Sequence, residues 1–185
     1  MSRTAQTVPT ATIRAVHTTL RPAVGELART AAGLSRWSTR TSPQRLAAAV
    51  SALETDILPW LAAEQEILYP MAEQRLGGPI AVAAMREAYL DLCRRAEALS
   101  ALASRLHDRP PTGAELDALR AGLYGLWATL GQHLSVEEAV LFNALDTLCS
   151  PEELAELAGD LDKRAGRNQD RSVGASPAER PPGRP

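Results

Sequence analysis

The sequence is poor in the residues that build β-sheets, and it carries little net charge. Aromatic residues make up 4% of the 185 residues, Val and Ile are few and scattered, and Ala and Leu dominate. A sheet is not expected, because β-branched and aromatic side chains are the ones that pack well on its surface. The formal net charge is only −2. This balance gives no electrostatic reason to expect binding to nucleic acid or to an acidic membrane.

Long apolar runs and a leader segment are also missing. No uninterrupted apolar run approaches the roughly 20 residues that a membrane-spanning helix needs, so no membrane association is expected. Met1–Thr10 lacks the apolar core of a signal peptide, and a cytoplasmic location is therefore expected. Cys93 and Cys149 fall on different predicted helices, at distant positions. Reduced thiols rather than a disulfide are expected.

Glycine, proline and capping residues divide the chain into helices. Residues 1–9 predict a disordered lead, and residues 166–185, rich in Pro, Gly, Arg and Ser, predict a disordered tail. Start and stop signals within residues 10–165 predict helices over about 10–35, 42–75, 79–107, 112–149 and 151–165. Pro59 and Pro70 lie inside the second helix and are expected to kink it, because proline removes a backbone donor.

Apolar residues recur in alternating steps of four and three along each of the four long helices. Such stripes with short connections predict an all-α fold, an antiparallel up-down-up-down four-helix bundle with a short fifth C-terminal helix. On the second helix the predicted core stripe is Leu46, Val50, Leu53, Ile57, Trp60, Glu64, Ile67 and Met71. On the fourth helix the stripe ends with His133, Glu137, Leu141, Leu145 and Leu148.

Four polar residues interrupt these stripes: His17, Glu64, His133 and Glu137. With about 1.5 Å of rise per residue, they fall at similar heights in the predicted bundle. A buried unpaired carboxylate is costly, and two of them repel each other. Metal ions bridged by the carboxylates and ligated by the imidazoles would compensate, and bundle interiors are known to hold such sites. A buried polar network with protonated or His-paired Glu side chains remains the alternative.

Three segments around these residues resemble the hemerythrin-like (HHE cation-binding) family. They are His17-Thr-Thr-Leu-Arg21, Trp60-Leu-Ala-Ala-Glu64-Gln-Glu-Ile-Leu-Tyr-Pro70 and His133-Leu-Ser-Val-Glu137-Glu-Ala-Val-Leu-Phe. The resemblance covers about residues 12–148. It implies a four-helix bundle with a non-heme di-iron centre, whose pattern is a His on helix 1, HxxxE on helix 2, a His on helix 3 and HxxxE on helix 4.

The sequence departs from that pattern at two ligand positions. The resemblance implies that Glu64 and Glu137 are bridging carboxylates and that His17 and His133 are ligands. Trp60 stands where the family has the His of the helix 2 motif, and Tyr89 stands where it has the His of helix 3. Tyr89 can offer a phenolate to a ferric ion, whereas Trp60 has only a hydrogen-bond donor. One metal, an asymmetric pair and no metal all remain open.

Three functions follow from these residues. The first is a non-heme iron protein, mono- or dinuclear, that binds or activates O2, peroxide or NO at a site with fewer ligands than the family pattern. The second is a metal-free protein that binds or transforms a small organic ligand in a pocket formed by Trp60, Tyr89, Glu64 and Glu137, with Cys93 at its border. The third is a non-catalytic interaction module. Oligomeric state and enzymatic activity are left open by the sequence.

Overall fold

The computed structural model describes residues 10–35, 37–106 and 109–174, and over these ranges the chain is helical without a strand. The all-α class predicted from the sequence is confirmed. We number five helices within these ranges. They are α1 (Ala11–Gly33), α2 (Ser42–Leu76), α3 (Ala83–Arg105, preceded by a 3-10 turn at Pro79–Val82), α4 (residues 113–148) and α5 (Pro151–Gly174).

The last helix is longer than predicted. It extends to Gly174 instead of ending near Ala165, so residues 166–174 of the predicted tail are helical. The predicted disordered lead, residues 1–9, lies outside the described residues, as do residues 107–108 and 175–185.

Capping explains where α4 and α5 begin. Thr112 and Glu115 form a capping box: the Thr112 Oγ1 accepts from the Glu115 N–H, and the Glu115 carboxylate accepts from the Thr112 N–H. Ser150 and Glu153 repeat the arrangement before α5. The start of α2 is different, since Ser42 is the first helical residue and its Oγ accepts from the N–H of Ser38.

Neighbouring helices pair their residues in opposite order along the chain. α1 and α3 both pack along α4, and α2 packs against α5. The side-chain pairs that show the opposite order are Thr10–Asp146 and His17–Glu138 between α1 and α4, and Glu54–Ser100 and Glu73–Arg86 between α2 and α3.

Three wide π-turns interrupt the long helices, at Leu53–Ile57, Glu64–Leu68 and Glu137–Leu141. A π-turn holds one residue more than an α-turn, and such insertions are frequent at functional sites. Pro59 and Pro70 each follow a π-turn closely, near the first turn of the α-helical segment that comes next. Each of these two wide turns thus lies next to a proline, which has no backbone N–H to donate.

The π-turn at Glu64–Leu68 shifts the buried face of α2 by one residue. Beyond Glu64, the predicted stripe residues Ile67 and Met71 are only partly buried, whereas Leu68 and Ala72 are 0% exposed. The predicted core position of Leu148 on α4 is wrong as well, since this side chain is 48% exposed. A uniform period of 3.6 residues cannot anticipate an inserted residue.

Among the described residues, one helix, α2, is long and apolar enough to cross a membrane by length and composition alone. It has 35 residues with a mean hydropathy of 1.3 in its most apolar stretch, of which 44% is buried inside the fold. A helix in the core of a soluble protein meets the same criterion, and α2 has neighbours in α1, α3 and α5.

Candidate metal centre

Three helices bring an imidazole and two carboxylates together in the interior. His17 on α1, Glu64 on α2 and Glu137 on α4 are each 0% exposed. The Nε2 atom of His17 lies 3.0 Å from Glu64 Oε1 and 3.6 Å from Glu137 Oε2. One ligand atom from each of the three residues lies within 4.8 Å of the others. The predicted convergence of these three residues is thus present in the fold.

Two buried aromatic side chains donate hydrogen bonds to the carboxylates. Trp60 Nε1 donates to Glu64 Oε1 at 2.5 Å, and the Tyr69 hydroxyl donates to Glu137 Oε1 at 2.5 Å. His133 joins through Tyr69, because its Nε2 lies 3.1 Å from the tyrosine oxygen and 3.4 Å from Glu137 Oε1. Each carboxylate therefore has one oxygen bound by an aromatic donor.

The π-turns position both carboxylates and their aromatic partners. Glu64 and Glu137 are the first residues of two of these turns, and Tyr69 and Phe142 directly follow the turns. In a regular α-helix, residues five apart point in different directions, whereas a π-turn aligns them. Tyr69 consequently reaches Glu137 on α4, and the Phe142 ring packs against the His17 ring with centroids 5.0 Å apart.

The outer nitrogen of His17 is held by a charged pair. Its Nδ1 lies 3.2 Å from Glu138 Oε1, and the other oxygen of Glu138 accepts a 2.7 Å hydrogen bond from Arg21. A carboxylate on one imidazole nitrogen fixes the ring orientation and leaves the other nitrogen for a cation, as is typical of metal-binding histidines. Glu138 and Arg21 therefore orient Nε2 toward the two buried carboxylates.

Burial dominates the electrostatics of the cluster. It raises the pKa of Glu64 to about 8 and also raises the pKa of Glu137, where the Glu64 charge adds to the effect. Burial lowers the pKa of His17, against the attraction of Glu137 and Glu138, and lowers the pKa of His133 to about 4. Without a cation, the interior thus favours neutral forms of all four groups.

Two carboxylate oxygens in this interior have no hydrogen-bond partner among the described residues. They are Glu64 Oε2 and Glu137 Oε2, the oxygens opposite those bound by Trp60 and Tyr69. Unpaired buried carboxylate oxygens are costly, and a cation would satisfy them. An imidazole and two carboxylates are a suitable donor set for divalent iron, manganese or zinc. The residues present therefore fit a metal ion.

Comparison with known proteins agrees with this site. The family model described as hemerythrin HHE cation binding domain matches residues 8–145. The chain belongs to the hemerythrin HHE family. No curated protein and no solved structure matches it in the corresponding searches. Membership and the His/Glu cluster together indicate a cation-binding domain, as the resemblance implied.

The two departures from the family pattern have different outcomes. Trp60, predicted to line a pocket, is 4% exposed and contacts Glu64 directly. Tyr89, predicted as a phenolate ligand, is only half-buried. Its hydroxyl lies beside the thiol of Cys93, and burial raises its pKa to about 12. In the part of the chain described, the phenol in the cluster comes from Tyr69.

Trp60 lines a cleft that does not include the other residues of the predicted organic-ligand pocket. Trp60 lines a surface cleft of about 370 Å³ between α1, α2 and α5, together with Asp56 and Asp162. Glu64 and Glu137 lie behind it with 0% exposure, and Tyr89 does not line this cleft. The predicted pocket shared by Trp60, Tyr89 and the two carboxylates is therefore not formed there.

Sequence reasoning missed Tyr69 and Glu138. Tyr69 lies in the quoted helix 2 segment, but a period of 3.6 residues places it off the core stripe. Glu138 directly follows the predicted ligand Glu137 and lies off the core stripe as well. The role of Glu138 follows from its contacts with His17 and Arg21, which only the fold brings close to it.

Proposed function

We propose that this protein binds non-heme iron through His17, Glu64 and Glu137 and uses it to bind or activate O2, peroxide or NO. The observation that carries the proposal is the pair of unpartnered buried oxygens, Glu64 Oε2 and Glu137 Oε2, in a cluster where His17 Nε2 lies 3.0 Å from Glu64 Oε1 and 3.6 Å from Glu137 Oε2. A buried apolar interior does not retain such atoms without a compensating charge unless they are protonated.

Bound iron would supply a Lewis-acidic, redox-active position for a small oxygen- or nitrogen-containing ligand. Glu138 and Arg21 would orient His17 toward that position. Tyr69 would hold a proton at its hydroxyl, between Glu137 and His133, because burial raises its pKa and keeps the phenol neutral. The surrounding Leu, Phe and Trp side chains would exclude bulk water from the site.

We also propose that α1 to α4 form the antiparallel up-down-up-down bundle predicted from the sequence. The opposite order of paired residues between α1 and α4 and between α2 and α3 supports this arrangement. In such bundles, metal sites are built from inward-facing side chains on facing helices.

Binding of ferrous iron by the metal-free full-length chain tests the proposal. The chain is treated with a chelator, titrated with Fe(II) under anaerobic conditions, dialysed and analysed for retained iron. Wild type is expected to retain iron in a stoichiometric amount. Glu64→Gln is expected to weaken binding by more than the roughly 10- to 100-fold effect typical of an outer-shell change.

Glu97→Gln provides the matched control, because Glu97 is an exposed carboxylate on α3. This variant should bind iron as wild type does. Addition of O2 or NO to the ferrous protein should then change its absorption spectrum, and Glu64→Gln should abolish that change. Absence of stoichiometric iron in wild type, or equal binding by Glu64→Gln, would refute the proposed function.

A further inference from the structure

Each buried carboxylate of the metal centre has one oxygen taken by an aromatic donor and one oxygen free. Trp60 Nε1 and the Tyr69 hydroxyl bind the Oε1 atoms of Glu64 and Glu137, both at 2.5 Å. The two Oε2 atoms have no partner among the described residues. The same division of roles thus occurs on α2 and on α4.

This division limits how many cations the carboxylates can serve. A carboxylate that bridges two metal ions gives one oxygen to each ion, so two bridging carboxylates need all four oxygens. Here only Glu64 Oε2 and Glu137 Oε2 are available without breaking a short hydrogen bond. With His17, the two carboxylates provide one set of three donors, whose ligand atoms lie within 4.8 Å of one another.

The second imidazole is also in contact with Tyr69. His133 Nε2 lies 3.1 Å from the Tyr69 oxygen, whose proton is donated to Glu137 Oε1. His133 Nε2 and Glu137 Oε1, 3.4 Å apart, would both be needed to hold a second ion, and Tyr69 lies against both. Trp60 cannot replace a ligand there, because its indole nitrogen is a donor only. The aromatic groups therefore satisfy the atoms that a second cation would need.

We infer that the centre holds one cation rather than two, and that Trp60 and Tyr69 set this number by occupying one oxygen of each carboxylate. The inference rests on the proposed metal-binding function and specifies its nuclearity. Trp60 and Tyr69 act as positioning residues, because each fixes the Oε1 atom of a carboxylate and leaves its Oε2 atom without a hydrogen-bond partner among the described residues.

Loading of the metal-free full-length chain with Mn(II) tests the number of cations directly. Equilibrium dialysis gives the number of Mn(II) ions per chain, and electron paramagnetic resonance distinguishes an isolated ion from a magnetically coupled pair. One isolated ion per chain is expected. Two ions, or a coupled signal, would overturn this inference and leave the metal-binding function standing, whereas no bound ion would overturn both.

The double variant Trp60→Phe/Tyr69→Phe tests the role of the two donors. It keeps both ring systems but removes the indole N–H and the phenol O–H, which releases Glu64 Oε1, Glu137 Oε1 and His133 Nε2. Uptake of a second Mn(II) ion with a coupled signal is expected. The matched control is Trp127→Phe/Tyr124→Phe, at an exposed aromatic pair on α4, which should still bind one isolated ion.

A double variant that folds and still binds one isolated ion would overturn the assigned role of Trp60 and Tyr69. Helical circular dichroism checks that it folds. The single change Tyr69→Phe, which frees Glu137 Oε1 and His133 Nε2 while Trp60 still binds Glu64, should show weaker uptake of the second ion than the double variant. If the double variant does not fold, this single variant and the wild-type count decide the matter.

Discussion

Replacement of Glu64 by Gln should stabilise the metal-free protein at neutral pH while it abolishes metal binding. Glu64 is fully buried, and burial raises its pKa from 4.5 to about 8. At pH 7 the side chain therefore keeps its proton in the folded state and loses it in the unfolded state. Gln has nearly the same shape, is neutral in both states and can accept the hydrogen bond from Trp60.

The size of the effect follows from proton linkage. Between the unfolded pKa of 4.5 and pH 7, the folded carboxyl holds its proton over about 2.5 pH units, at about 1.4 kcal/mol per unit. This cost amounts to roughly 3 kcal/mol at pH 7. Because the folded state binds more protons, the free energy of unfolding of metal-free wild type should fall as pH rises from about 4.5 to about 8.

Urea unfolding of chelator-treated protein at pH 5 and pH 8, followed by circular dichroism, measures this effect. Glu64→Gln should be more stable than wild type by roughly 4 kcal/mol at pH 8 and by only about 1 kcal/mol at pH 5. The exposed control Glu97→Gln should follow wild type at both values. A Glu64→Gln protein that is less stable than wild type at pH 8, or a wild type whose stability is independent of pH, would refute the reasoning.

Four further outcomes are expected. Glu138→Ala should weaken Fe(II) binding by roughly 10- to 100-fold in dialysis, because His17 loses the group that orients it; an unchanged affinity would contradict this role. Fe(II) at 100 times its dissociation constant should stabilise the chain by about 2.7 kcal/mol in thermal or urea unfolding, with proton release detectable by titration in two buffers. Thr112→Ala should lower the free energy of unfolding by about 1 kcal/mol, because α4 loses its cap; equal stability would argue against the capping box. Deletion of the exposed Val140 should leave the chain folded, because it converts the π-turn of α4 to a regular α-helical turn. Deletion of the exposed Ala121 should instead rotate the rest of α4 by about 100° about its axis and unfold the protein. Circular dichroism of both deletion variants would show whether they differ.

The sequence predicts the helical class and the convergence of His17, Glu64 and Glu137 because these features depend on local spacing. The buried residues follow a period of 3.6 along α1, and along α4 as far as Glu137. On α2 the π-turn at Leu53–Ile57 precedes Glu64. Leu53, Ile57 and Trp60 are nevertheless buried as predicted, so this turn does not displace Glu64 from the core face. Up to these positions, counting residues gives the correct face.

The rest of the site depends on contacts that spacing does not encode. The π-turn after Glu64 adds a residue, so Tyr69 rather than Met71 continues the face that carries the carboxylate. Glu138 becomes an orienting group only because α1 brings His17 and Arg21 beside it. Both depend on the packing of one helix against another, which a single sequence without its fold does not reveal.

The two π-turns at the site connect helices as well as widening them. Tyr69, after the turn on α2, binds Glu137 on α4, and Phe142, after the turn on α4, packs against His17 on α1. Each aromatic residue thus supports a ligand on a different helix from its own. Because the side chains are buried and mutually in contact, their positions are set by packing and hydrogen bonds rather than by a metal ion. The three donors, from His17, Glu64 and Glu137, therefore stay together although Trp60 stands where the family pattern has an imidazole.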